Sequence, residues 1–119
     1  MSNKIDIPDS YFDDEEFLLG ELNEDKIVGI LGPNATDDQI LKYELCRIIS
    51  ARIREKGYSN ADAGKVTGSD ASDISRLANF HIDRFTIDRL IKILTSLEGS
   101  KYVWKSMAHI SELIEKRIA

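Results

Sequence analysis

A single cysteine and two histidines stand among the 119 residues of this chain. One cysteine, Cys46, excludes an intrachain disulfide. Its place inside a helical apolar pattern marks it as a small buried side chain and not a nucleophile. His81 and His109 are far apart in the chain, and no cysteine or acid cluster has the spacing of a metal site. No apolar run approaches the ~18 residues that cross a membrane. No apolar stretch follows Met1-Ser2-Asn3-Lys4, so a secretory leader is not expected and the cytoplasm is the expected location. A glycine-rich phosphate loop and a recognisable nucleophile–base pair are also missing. Neither a cofactor nor an enzymatic activity is expected.

The net charge of −5 has the wrong sign for a simple nucleic-acid binder, but it is unevenly spread. Residues 1–37 carry ten acids against Lys4 and Lys26, a net −8. Residues 38–98 carry ten bases against nine acids, a net +1, and residues 99–119 four bases against two acids, a net +2. The acidity belongs to an N-terminal arm, residues 1–36, in which Tyr11, Phe12, Phe17 and Leu18 stand among Asp13, Asp14, Glu15 and Glu16. Acid-rich sequence with a few apolar anchors reads either as a solvated tail or as a docking arm for a basic partner.

Helical signals dominate from Thr36 onward. Thr36 is a candidate N-cap for a helix over about 37–56, with Asp37 and Asp38 in its first turn and Gly57 beyond its end. Ile40, Leu41, Leu45, Ile48, Ile49 and Ile53 follow helical spacing. Lys42, Arg47, Arg52, Arg54 and Lys56 read as a solvated basic face. Ser59 caps a short helix to about Val66, Asp70 a third to about Asn79, and Thr86 a fourth to about Leu97 before Gly99. A last amphipathic helix, about 102–117, places Val103, Met107, Ile110 and Ile114 on one stripe, for packing on the domain or for a dimer. Gly29, Gly32, Pro33 and Asn34 break the chain ahead of the core. Ile27 to Leu31 is the one β-like run, with a helix or an irregular segment as the alternatives.

Residues 59–78 contain, in order, the parts of a helix-turn-helix. Two helices meeting across a tight turn need a small residue where their backbones approach, a turn glycine, and apolar plugs from the second helix. Ala63 or Gly64 can be the small residue, and Gly68 the turn. Ile74 and Leu77 are the plugs, and Val66 seals the other side. The fold class is therefore all-α: a helix-turn-helix domain over residues 37–99, followed by a C-terminal amphipathic helix, 100–119.

Ser59 to Gly68, then Asp70 to Leu77, then Arg84-Phe85-Thr86-Ile87-Asp88-Arg89-Leu90 together resemble the Cro/C1-type (XRE-family) helix-turn-helix domain, in the flavour of HigA-type antitoxins. The likeness covers residues 41–99. It implies a λ-repressor-like fold of four to five helices that binds double-stranded DNA as a homodimer. For the antitoxin branch it also implies repression of its own operon and a basic toxin as partner. On this match Ala71, Ser72, Asp73, Ser75 and Arg76 face the major groove. Lys65, Arg76, His81 and Arg84 reach phosphates, and Ser72 and Ser75 add hydroxyl donors. Family members often carry Gln and Arg near the positions of Ala71 and Asp73, and bidentate base readout uses such residues. Two local readings compete: Asp70 as a helix cap, and Arg76 paired with Asp73. A protein-interaction module, its acidic arm holding a basic partner, is the alternative function.

Overall fold

The computed structural model describes residues 23–118, so the proposed partner-binding residues Tyr11, Phe12, Phe17 and Leu18 lie outside it. The described residues form six α-helices and no strand. They are α1 (Glu24–Leu31), α2 (Asp37–Glu55), α3 (Asn60–Thr67), α4 (Ala71–Ala78), α5 (Ile87–Glu98) and α6 (Ser100–Ile118), with a 3₁₀ turn at Ile82–Arg84.

Five helices begin where a side-chain oxygen can receive an otherwise unpaired backbone N–H, α1 at Asn23 and four more after it. Thr36 accepts from the Gln39 amide at 3.2 Å, Ser59 from Asp62 at 3.1 Å, Asp70 from Asp73 at 2.8 Å and Thr86 from Arg89 at 3.1 Å. At α2 the Gln39 side chain also accepts from the Thr36 N–H at 2.9 Å, completing a capping box.

α2 is the centre of the fold. Leu45, Ile48, Ile49 and Ile53 bury one side of it against Leu90, Ile93, Leu94 and Leu97 of α5. Cys46 is fully buried in the same cluster, and burial pushes its thiol up to about 12, with Lys42 opposing weakly. It is therefore inert at neutral pH. Val103, Ile110 and Leu113 of α6 join this core, with Met107 and Ile114 packed against it. The apolar stripe of the last helix is thus spent inside the domain. Trp104 points the other way and is 75% exposed.

Part of the stretch read as the acidic arm is folded. α1 starts at the Asn23 cap, whose side chain accepts from the Lys26 N–H at 3.1 Å. The apolar run 27–31 is helical, not extended, and Gly29 lies within the helix; the break comes at Gly32, at φ 88°. Ile27 is the one fully buried residue of α1, set against Ile40 and Tyr43. One buried isoleucine is worth about 1.5–3 kcal/mol, so α1 is held far more lightly than α2 or α5.

The basic residues of α2 do not form a uniform solvated face. Arg52 is 1% exposed and pairs through Nε with Oε1 of Glu98, the last residue of α5. Its Nη1 lies 3.5 Å from Glu55. Burial pushes the Glu98 carboxyl up, and the Arg52 charge opposes this. Oε2 of Glu98 has no hydrogen-bond partner among the described residues. Lys56 donates to the Leu97 carbonyl at 2.5 Å, so the ends of α2 and α5 are tied twice. Removing one half of such a pair strands a buried charge, whereas replacing both with apolar groups does not. Arg52→Ala is expected to cost about 3–5 kcal/mol in urea unfolding. Arg52→Met combined with Glu98→Leu should recover most of that loss. Equal destabilisation by the single and double variants would contradict this account of the pair.

Candidate nucleic-acid interface

The corner between α3 and α4 is made by two glycines with different tasks. Gly64 is buried, and a Cβ there would lie 2.8 Å from the Ser69 carbonyl oxygen and 3.3 Å from the Asp70 carbonyl carbon. Both contacts are backbone, so neither can swing aside. The close approach falls to Gly64, although Ala63 beside it is also fully buried. Gly68 ends α3 in the left-handed region at φ 70°, ψ 25°. Its N–H and that of Ser69 both turn back to the Gly64 carbonyl, the second at 2.9 Å. The Thr67 hydroxyl donates to the Ala63 carbonyl at 2.7 Å and closes the last turn.

α4 then runs eight residues with two faces. Ile74 and Leu77 are buried at 1% and 0% exposure, filling the corner as the sequence pattern predicts. Val66 does not seal the other side: it is 43% exposed, because the last turn of α3 carries it outward. Ala71 and Ser72 are exposed, and Asp73, Ser75 and Arg76 are half-buried. The end of α4 is unusual. Phe80 takes φ 58°, a conformation that usually falls to glycine after a helix. The His81 N–H reaches back to the Arg76 carbonyl at 3.0 Å and that of Phe80 to Leu77 at 3.1 Å. Stacking on Tyr43, with ring centroids 5.0 Å apart, holds the Phe80 ring in place and offsets the strain.

Three polar residues proposed to face DNA, Ser72, Asp73 and Arg76, are engaged within the protein. Asp73 binds Nη1 of Arg76 at 2.9 Å through one oxygen and Arg89 of α5 through the other. Arg89 also sits over the Phe85 ring, 5.2 Å from its centroid. Asp73 therefore fastens α4 to α5. Its negative charge is neutralised on both sides, and Arg76 and Arg89 remain partly exposed at 38% and 41%. Arg89 escapes sequence reasoning because sixteen residues separate it from Asp73, beyond any local spacing rule. Ser72 donates to Asp70 at 2.7 Å. That bond, followed by the Asp73 N–H and the charges of Arg76 and Arg89, holds the Asp70 carboxyl below the usual range.

The proposed phosphate contacts divide into two places. Lys65 is exposed on α3, one turn before the corner. His81 and Arg84 are exposed and share a cleft of about 370 Å³ with Gln39 and Asp83, but Ile30 and Leu31 of α1 form its other wall. No group of three or more metal-ligating side chains occurs among the described residues.

This glycine corner with an outward second helix is matched by the family model described as a helix-turn-helix domain, over residues 30–100. The chain belongs to the helix-turn-helix domain family. The match starts inside α1 and ends at the first residue of α6, so most of the final helix lies outside the family's shared domain. No curated protein and no solved structure matches the chain. Among the described residues no helix is long and apolar enough to cross a membrane.

Two predictions test how this helix-turn-helix is built. Gly64→Ala must push the Ser69–Asp70 backbone away, and overpacking of this kind costs about 1–3 kcal/mol. The measurement is denaturant unfolding, and an unchanged midpoint would contradict the close approach. Asp70 has a lowered native pKa, so its contribution is complete above the unfolded value of about 3.9 and is lost as pH falls through the lower native value. Asp70→Asn keeps the accepting oxygen and removes the titration. The melting temperature of the native chain should exceed that of the variant at neutral pH, and the gap should shrink below about pH 4. A gap that stays constant would show that the carboxylate charge is not used.

Proposed function

We propose that the chain is a DNA-binding transcriptional regulator of the Cro/C1 type, with α4 as its recognition helix. The observation that carries this reading is the pose of α4. Its N-terminal residues Ala71 and Ser72 are exposed, while Ile74 and Leu77 on the opposite face are buried behind a glycine corner. Recognition helices of this class contact base edges with their N-terminal residues. In this reading Ala71, Ser72, Ser75 and Arg76 meet the groove. Arg76 works from a position fixed by Asp73, which itself serves as a brace. Lys65 and Arg89 reach phosphates beside α4, and His81 and Arg84 lie towards α1, at the rim. Small side chains at positions 71, 72 and 75 favour close approach and apolar or hydroxyl contacts over bidentate base pairing.

The finer parts of the reading rest on the resemblance. They are the HigA-like antitoxin role, repression of its own operon, a basic toxin as partner, and a cytoplasmic location. The homodimer needs a surface other than the α6 stripe, and the exposed Trp104 supplies an apolar contact for it. A second reading, a protein-interaction module whose acidic arm takes a basic partner, is favoured by one observation. The α3–α4–α5 surface sets Asp62, Asp70 and Asp73 against Lys65, Arg76 and Arg89 and has no basic excess.

Titration of fluorescent duplexes across a salt series separates the two. The DNA reading predicts a log affinity that falls linearly with log salt, at about −0.9 per phosphate neutralised. Lys65→Ala should reduce that slope by about 1. Ser72→Glu, which adds a charge at the exposed start of α4, should weaken binding about tenfold or more. Background-level binding to every duplex at low salt would favour the protein-interaction reading.

A further inference from the structure

A groove of about 600 Å³ runs between α1, α2 and the far end of α4, away from the exposed start of the recognition helix. Its floor is apolar and includes Tyr43, Ile53, Ile74 and Phe80. Lys26, Arg47 and Arg54 line it, and no carboxylate does. Buried Glu44 lies outside the lining and is bound to Arg47 at 2.8 Å. The groove wall also includes Ser50, whose hydroxyl is buried and has no hydrogen-bond partner among the described residues. The hydroxyls of Thr67, Thr95 and Ser96 each donate to the carbonyl four residues back, which is the usual arrangement in a helix. Ser50 departs from it.

An apolar floor rimmed by cations, with a spare hydroxyl, fits an acidic peptide carrying aromatic anchors. This chain contains such a segment. Tyr11, Phe12, Phe17 and Leu18 enclose the run Asp13-Asp14-Glu15-Glu16. The segment is also tethered beside the groove. The described chain starts at Asn23, and α1 directly after it supplies Lys26, Gly29 and Ile30 to the wall. Phe17 is six residues from Asn23, a reach of up to ~20 Å when extended. A tether this short raises the local concentration of the segment to the millimolar range, so weak contacts suffice for occupancy. Gly29 leaves its part of the wall open, because a Cβ there would meet nothing within 4 Å.

We propose that this groove seats residues 11–18 of the same chain, with the aromatic side chains on the apolar floor and the four acids facing Lys26 and Arg54. The seated acids would lie near Asn60, which opens α3 and lines the groove.

The test uses the full chain with Asp14→Cys carrying a nitroxide; the buried Cys46, its thiol pushed up to about 12, does not compete for the label. Amide signals of Arg54, Asn60 and Ala78 should broaden several-fold more than those of Lys105 and Glu112 on α6. A companion sample of isotope-labelled, untagged chain mixed with tagged, unlabelled chain reads contacts between copies, and it should show little broadening. Adding Lys26→Glu and Arg54→Glu, both at exposed positions, should lower the groove effect to the α6 level while the α5 signals stay in place. Even broadening over both faces would overturn the proposal. Broadening that survives the charge reversal would do the same, and so would broadening confined to the mixed sample, which would make the occupant a second copy.

Discussion

The contact on which this molecule depends is the approach of the Ser69–Asp70 backbone to Gly64. At 2.8 Å from where a Cβ would stand, the carbonyl of Ser69 leaves no room for any side chain. That closeness sets how far α4 turns from α3. The turn lets Ile74 and Leu77 reach the core while Ala71 and Ser72 stay in solvent. Gly68 works alongside, supplying the left-handed residue that reverses the chain. If the corner opened, Ile74 and Leu77 would leave the core and the outward pose of Ala71 and Ser72 would be lost.

The remaining polar interactions hold that corner against the rest of the domain. Asp73 ties α4 to α5 through Arg89, and the Phe80 ring, stacked on Tyr43, fixes where α4 ends. The buried Arg52–Glu98 pair joins α2 to the end of α5. Each of these links crosses between helices, whereas the caps act within one. A helix of eight residues such as α4 would be marginal alone. Here its first turn is capped by Asp70, its side is tied to α5 through Asp73, and Ile74 and Leu77 anchor it in the core.

Much of this was legible in the sequence because its signals are local. Thr36, Ser59, Asp70 and Thr86 are short polar residues ahead of helical patterns, and all four cap helices. The spacing of Ile74 and Leu77 and the position of Gly68 carried the corner. The misreadings have a common cause, which is that burial and pairing depend on distant partners. Arg52 looked like one of several solvated bases because Glu98 lies forty-six residues away. The tie from Asp73 to Arg89 has no local signal either, because sixteen residues separate its ends. Val66 has the apolar character of an inward residue, yet its position in the last turn of α3 leaves it 43% exposed. The run 27–31 stays open between strand, helix and irregular chain on its branched residues alone; it is helical, with Ile27 anchored against Ile40 and Tyr43. The direction of the α6 stripe could not be chosen from its spacing, since packing on a core and packing on a second copy require the same pattern.

The central claim, that the outward face of α4 meets DNA, is tested most directly by mapping backbone amide shifts of the full chain as a mixed-sequence duplex is added at low salt. The account predicts the largest shifts at Ala71, Ser72 and Ser75 and at Lys65 on the neighbouring helix, with α6 unmoved. Shifts confined to α6 or to the stretch before α1, with α4 silent, would contradict it.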